Sequence, residues 1–195
     1  KSHPDDDAEL FKLCQIAVKT PELALRRLQE MIAAGISQSD LPAADRVISQ
    51  LAKHSPAALE AALGSLPVAL KITAEVCLMR EEMEASFASG LRKLIDRPDG
   101  LDLFPKIFQS SFSFGEKLID ELSNLPAAWR DRIAQKASIV LNTETASKWA
   151  AVDLEAAGFT AQQAKAIRFK AVEALQYRDP EAALKLLAEL DLPTE

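Results

Sequence analysis

The sequence predicts an all-α protein, and three observations support this prediction. Leu and Ala are abundant, whereas Gly occurs six times and Tyr once in 195 residues. Val and Ile rarely occur in runs, so intrinsic propensities favour helix over strand nearly throughout. Several segments also open with a polar residue followed by Pro, which is typical of a helix start.

The helix starts are clearest at Thr20, Ser55 and Asp179, because each of these residues precedes a Pro. Apolar residues recur behind each Pro at offsets that place them on one face of a helix. Thr160 and Gln163 form a capping box at another start. Together these signals predict about twelve short helices, at residues 6–18, 21–34, 42–53, 56–63, 68–89, 91–96, 104–113, 115–123, 127–141, 144–157, 161–177 and 180–190.

Glycines mark several of the predicted helix ends. Gly35, Gly64 and Gly158 each follow a periodic apolar run. A residue in the left-handed conformation often ends a helix, and glycine adopts that conformation without steric cost. We therefore expect these three residues to terminate helices.

The spacing of the helix starts predicts how the helices are arranged. Short connections favour antiparallel helical hairpins. Pro21 and Pro56 lie 35 residues apart, and Pro126 follows after 70 more. A period near 35 matches helix-turn-helix repeats, so we expect one all-α domain over 1–195 that forms a right-handed α-solenoid-like array. An irregular helical bundle is the alternative, and the turn-rich stretch at 96–102 is a candidate lobe boundary.

Composition limits the classes of function. The net charge of −6 disfavours nucleic-acid binding, since a phosphate backbone would be repelled. No apolar stretch is long enough to span a bilayer, so a soluble chain is expected. The chain begins at Lys1 rather than Met, which indicates removal of a preceding segment. The compartment is therefore left open between the cytoplasm and, if a signal was removed, the periplasm.

Motifs for catalysis and metal binding are missing from the sequence. Cys14 and Cys77 lie in apolar helical surroundings and are interpreted as buried free thiols, with a disulfide between them left open. The acidic turn that begins at Asp96 fails the calcium-loop pattern, because Pro98 occupies its third position. A nucleophilic dyad of Cys14 and His54 is disfavoured. We expect no enzyme, no cofactor and no metal site.

The candidate site residues are aromatic. Half of the eight phenylalanines fall within eleven residues, and three of them repeat every four positions, as on one helix face. A core role is the favoured interpretation, and an exposed face that binds a partner helix is the alternative. The residues assigned to partner binding under that alternative are Phe104, Phe108, Phe112, Phe114, Trp129, Trp149 and Phe159.

Two family resemblances accompany these patterns. The hairpin spacing, together with the run Asp179-Pro180-Glu181-Ala182-Ala183-Leu184, resembles tetratricopeptide-type and related bacterial helical repeats, which implies a scaffold that binds peptides or protein surfaces. Residues 154–187 are similar to a ubiquitin-associated three-helix unit. In that family the Gly-Phe turn, here Gly158 and Phe159, contributes to the ubiquitin-binding face.

The function expected from the sequence is therefore a non-enzymatic protein interaction module whose partner is another protein or peptide. A helical carrier or sensor of a small apolar ligand or lipid, bound near 104–114, is the alternative. The oligomeric state is left open.

Overall fold

The structure is a computed structural model that describes residues 4–190, with side chains from residue 8 onward except those of Gln38 and Phe112. Within this part of the chain the backbone forms thirteen α-helices and no strand, which confirms the all-α class. None of the helices in the described range is both long enough and apolar enough to cross a membrane.

The chain divides into two compact units, and the boundary falls between Gly90 and Leu91. The first unit contains α1 Pro4–Lys19, α2 Pro21–Ala34, α3 Leu41–His54, α4 Pro56–Ala62 and α5 Val68–Ala85. Helix α6, Phe87–Asp96, crosses the boundary. The second unit continues with α7 Gly100–Gln109, α8 Phe112–Lys117, α9 Ala127–Gln135, α10 Ala137–Val140, α11 Ala146–Ala151, α12 Ala161–Leu175 and α13 Pro180–Glu189. Short 3₁₀ helices cover Gln38–Asp40, Leu63–Ser65 and Leu118–Asn124.

The first unit is organised around α3, which packs against α1 and α5. Helix α2 contacts α1 and α3, and α4 contacts α3 and α5. The apolar spacing of α3 explains its central place, because Ala44, Val47, Ile48 and Leu51 share one face and are fully buried. The buried hydrophobic residues of this unit are Leu, Ala, Val and Ile together with Cys77, Met79 and Met83, and none of its described aromatic side chains is among them.

The second unit is organised around α12, its longest helix, which contacts α9, α10, α11 and α13. The four-residue α10 contacts α7, α8, α9 and α12. Two of its residues, Ala137 and Val140, are buried. The turn at 96–102, which the sequence indicated as a candidate lobe boundary, lies inside this unit.

Most of the capping predictions are confirmed. Pro21, Pro56 and Pro180 begin α2, α4 and α13. Thr160 and Gln163 form the expected capping box, in which the Thr160 side chain accepts from the Gln163 backbone N–H at 3.2 Å. Asp179 caps α13 as expected, because its carboxylate accepts from the Ala182 N–H at 3.0 Å. Thr20 and Ser55 make no side-chain cap bond, so their expected capping role was wrong.

Two of the three glycines that were predicted to end helices do so. Gly35 and Gly158 have φ of 99° and 90°, as a left-handed end requires. Gly64 was predicted wrongly, because it lies inside the 3₁₀ helix Leu63–Ser65 and is not among the described glycines with positive φ. Helix α4 is followed directly by this tighter 3₁₀ turn and does not end in a left-handed residue.

Two predicted helices are divided in the structure, and a third is shorter than predicted. The helix expected at 68–89 breaks at Ser86, whose backbone is extended, and Gly90 then approaches Met83 so closely that a Cβ would lie 2.5 Å from Met83 Cγ. The helix expected at 127–141 breaks at Lys136, where φ is −124°. The helix expected at 144–157 ends at Ala151.

The predicted bounds of the helices at 104–113 and 115–123 were also wrong. Helix α7 begins at Gly100 and ends at Gln109, so Pro105 lies inside it. The proline lies in the second turn, where it removes the backbone hydrogen bond to the Leu101 carbonyl. Because α8 begins at Phe112, that residue does not share a helix with Phe104 and Phe108.

Candidate functional site

The predicted aromatic residues lie in the core of the second unit. The Phe104 ring lies 4.5 Å from Phe108 and 5.5 Å from Trp129, measured between centroids, and Phe108 lies 5.8 Å from Phe114. The contacts to Trp129 and Phe114 are edge-to-face, an arrangement that aromatic quadrupoles favour. The rings Phe104 and Phe114 are fully buried.

Trp149 and Phe159 are also buried. The indole Nε1 of Trp149 donates to the backbone carbonyl of Gly115 at 2.9 Å, which satisfies the polar atom of the ring. The side chain of Phe112 lies outside the described residues. A role of these aromatic residues in partner binding stays a prediction, and it requires the buried rings to leave the core.

A different part of the molecule offers an accessible apolar surface. A cleft of about 330 Å³ lies between α1 and α3 in the first unit. We call it the α1–α3 cleft, and it is lined by Phe11, Cys14, Ser39, Pro42, Ala43 and Arg46. The Phe11 side chain is 62% exposed, the most exposed phenylalanine among the described side chains.

The sequence of α1 contains a pattern that could have predicted this cleft, namely apolar residues on two faces of one helix. Leu10, Leu13 and Ala17 form the buried face of α1. Phe11 and Val18 lie at a helical spacing on a second, exposed face, since they are two turns apart. A helix with two apolar faces buries one in its own fold and leaves the other accessible to a partner.

The charged side chain among the residues that line the cleft is Arg46. Arg46 is exposed and makes no hydrogen bond or ion pair within the described part of the chain. Lys12 and Lys19 are exposed on α1. The carboxylate of Glu9 on the same helix is 2.7 Å from Arg27 Nε, so its charge is already compensated.

The two cysteines are free thiols. Cys77 is buried as expected, whereas Cys14 is half-buried at the cleft, which corrects the expectation of two buried thiols. Burial raises the pKa of the Cys14 thiol, and the Arg46 charge opposes this effect in part. A raised pKa keeps the thiol protonated at neutral pH, the opposite of what an activated nucleophile needs.

The remaining catalytic and metal candidates do not come together. His54 is exposed at the end of α3 and does not line the cleft that contains Cys14. In the acidic turn, both carboxylate oxygens of Asp99 accept from Arg97 at 2.8 Å. Among the described residues there is no group of three or more His, Cys, Asp or Glu placed to hold a metal ion.

Two other clefts lie in the second unit. One, of about 380 Å³, is polar and includes Thr143, Glu144, Ser147, Arg178 and Asp179. Arg178 Nη1 donates to the Thr143 carbonyl there at 3.4 Å, and Glu144 and Asp179 line the same cleft. The other, of about 300 Å³, lies between α9 and α12 and is lined mainly by Ala and Gln side chains. Neither cleft has an aromatic ring among its lining residues.

Buried polar groups add no further candidate. Asp40 is almost fully buried, and its carboxylate accepts from the backbone N–H and the hydroxyl of Ser37. Thr145 is likewise buried and accepts from the Asn142 N–H at 3.0 Å. For the residues that the structure describes, no buried side-chain polar atom lacks a hydrogen-bond partner. Both residues therefore stabilise loops.

Comparison with known proteins gives no family for the chain. No protein-family model matches it. Neither the curated proteins nor the solved structures contain a match. The resemblances to tetratricopeptide-type repeats and to a ubiquitin-associated unit therefore stay predictions, and any function must be inferred from the residues of this chain.

Proposed function

We propose that the chain is a non-enzymatic protein interaction module and that its docking surface is the α1–α3 cleft. The observation that carries the proposal is the exposure of Phe11, which is 62% exposed beside a concave surface. An exposed ring at a cleft suits a contact with another apolar group, because burying aromatic area is strongly favourable.

The arrangement of the first unit supports this proposal. Helices α1, α3 and α5 pack side by side in that order, and α2 and α4 pack beside them. This order is compatible with a short array of helical hairpins, of the kind that presents binding surfaces in repeat proteins. Helix α1 also exposes Phe11 and Val18, and exposed apolar side chains of this kind favour a partner that covers them.

The experiment is purification of the tagged full chain from the cells in which it is naturally made, followed by mass spectrometry of what accompanies it. Wild type is compared with Phe11→Ser, which removes the exposed ring. Val68→Ser is the matched control, because Val68 is 75% exposed on α5 in the same unit but does not line the cleft. Circular dichroism verifies that all three chains are folded.

We expect a partner protein with wild type and with Val68→Ser, and its loss with Phe11→Ser. Recovery of a lipid or metabolite without a protein would reject the interaction module and favour the carrier. Retention of the same protein by Phe11→Ser would reject the α1–α3 cleft as the docking surface.

A further inference from the structure

We infer that the α1–α3 cleft binds an acidic segment of a partner protein, in which an apolar side chain contacts Phe11 and a carboxylate pairs with Arg46. This inference rests on the proposed function and specifies the partner's chemistry. Its basis is the combination, in one cleft, of an exposed ring and a guanidinium that makes no ion pair with the residues the structure describes.

The charge of the surface favours an acidic partner. Arg46 lines the cleft and has no ion pair within the described residues, and Lys12 and Lys19 are exposed on the adjoining helix. Complementary charge at the rim of an interface steers association and selects against wrong partners. A carboxylate beside Arg46 would form the charge-assisted hydrogen bonds that guanidinium groups favour.

The walls of the cleft favour an apolar anchor next to that carboxylate. Phe11, Pro42 and Ala43 contribute carbon surface, and the protonated Cys14 behaves as a small apolar side chain. The volume of about 330 Å³ is at the lower end of the range for binding pockets. A cleft of this size accepts side chains of a peptide or helix rather than a folded domain.

Two other occupants fit the observations less well. Self-association through a two-fold axis at the cleft would place Arg46 of both copies at one interface, where the two positive charges repel. An anionic lipid surface would satisfy the charges, but a concave cleft suits insertion of a protruding side chain better than contact with a flat surface.

The test is selection of short random peptides displayed on phage against the full chain. Binding of the synthesised peptides is then measured by fluorescence polarisation. We expect enriched peptides to carry Asp or Glu close to an aromatic or large aliphatic residue. Arg46→Glu should weaken their binding by about tenfold, because it places like charges opposite each other. Replacing the peptide's acidic residue by Lys should restore binding to Arg46→Glu and not to wild type.

Arg26→Glu is the matched control, because Arg26 is an exposed arginine of the same unit on α2 and does not line the cleft. It should leave peptide binding unchanged. The selected peptides could instead lack acidic residues, bind Arg46→Glu as well as wild type and fail to bind Phe11→Ser. That result would overturn the acidic partner but would still support the α1–α3 cleft as the docking surface. Peptides that tolerate both substitutions would overturn both proposals.

The other occupants are tested with the same purified chain. Sedimentation analysis that shows a dimer abolished by Phe11→Ser would replace the acidic partner with a second copy. The chain could also bind vesicles that contain phosphatidylglycerol but not vesicles of phosphatidylcholine alone, and lose this binding in Arg46→Glu. That result would replace the acidic partner with a lipid surface. A monomer that ignores both kinds of vesicle is the expected result.

Discussion

Both units of this chain have a buried core between helices, but the side chains that form the two cores differ. The core of the first unit is aliphatic, and its two phenylalanines lie outside that core, with Phe11 exposed and Phe87 half-buried. The second unit buries Phe104, Phe114 and Trp149 completely. The same residue type is therefore a core group in one unit and a surface group in the other.

Helix length explains this difference. The main helices of the first unit, α1, α2, α3 and α5, have 14 to 18 residues and present continuous stripes of small and medium side chains to one another. In the second unit α8, α10 and α11 have only 4 to 6 residues. A short helix has few inward positions, so large rings fill the space between elements. Long helices can close a core without them, and an exposed Phe11 is then available for a partner.

The largest expected effect comes from making the same substitution in both units. Phe104→Ala should lower the free energy of unfolding by about 3–5 kcal/mol, because it removes a buried ring and leaves a cavity between Phe108 and Trp129. Phe11→Ala should change it by less than about 0.5 kcal/mol, as an exposed position allows. Urea unfolding followed by circular dichroism measures both. Equal losses for the two variants would contradict the division into a core ring and a surface ring.

A second contrast concerns glycine. A Cβ at Gly115 would lie 2.1 Å from the Val140 carbonyl oxygen, because α8 and α10 approach closely there. Gly115→Ala should therefore cost about 1–3 kcal/mol through overpacking. Gly64→Ala is the control, since a Cβ at Gly64 meets no atom within 4 Å and its φ is not positive. Thermal unfolding should show a lower midpoint for Gly115→Ala alone, and tolerance of both substitutions would disprove the close approach.

A smaller contrast concerns helix capping. Thr160 accepts a hydrogen bond from the Gln163 N–H in the second unit, whereas Thr20 occupies the equivalent position of α2 without a side-chain cap bond. Thr160→Ala should cost about 1 kcal/mol. Thr20→Ala should cost less than about 0.5 kcal/mol, because no cap is lost. Chemical denaturation can resolve the difference, and a larger loss at Thr20 would reverse the assignment.

These contrasts also show what the sequence could predict. The class, the proline-started helices and the Thr160 capping box follow from local chemistry, so they could be predicted. The breaks at Ser86 and Lys136 could not be, because each is fixed by packing between elements. The α1–α3 cleft needed a comparison of the two apolar faces of α1, and only the fold shows which one is buried. The sequence therefore predicts a candidate site at the clustered phenylalanines of the second unit and not at the isolated Phe11.

The smallest expected effect on the free energy of unfolding comes from ionisation of the two thiols, and it reports on the chemistry of the α1–α3 cleft. Both cysteines lie in the first unit, so thiol labelling reports on that unit alone. Burial raises the pKa of Cys14 and of Cys77 above the ordinary value for a thiol. The folded state then holds these protons more tightly than the unfolded state. The resulting stability is fully present below the ordinary thiol pKa of about 8.5 and declines as the pH rises toward the folded pKa values.

Ellman's reagent, which reads the thiolate, should react with half-buried Cys14 more slowly than with free cysteine, and with buried Cys77 only as the unit opens. Both rates should rise with pH, and Cys14→Ser and Cys77→Ser assign each phase. A Cys14 that reacts faster than free cysteine at neutral pH would mean that the Arg46 charge outweighs burial. The cleft would then hold an activated thiolate, and a nucleophilic function would displace the docking of an acidic partner.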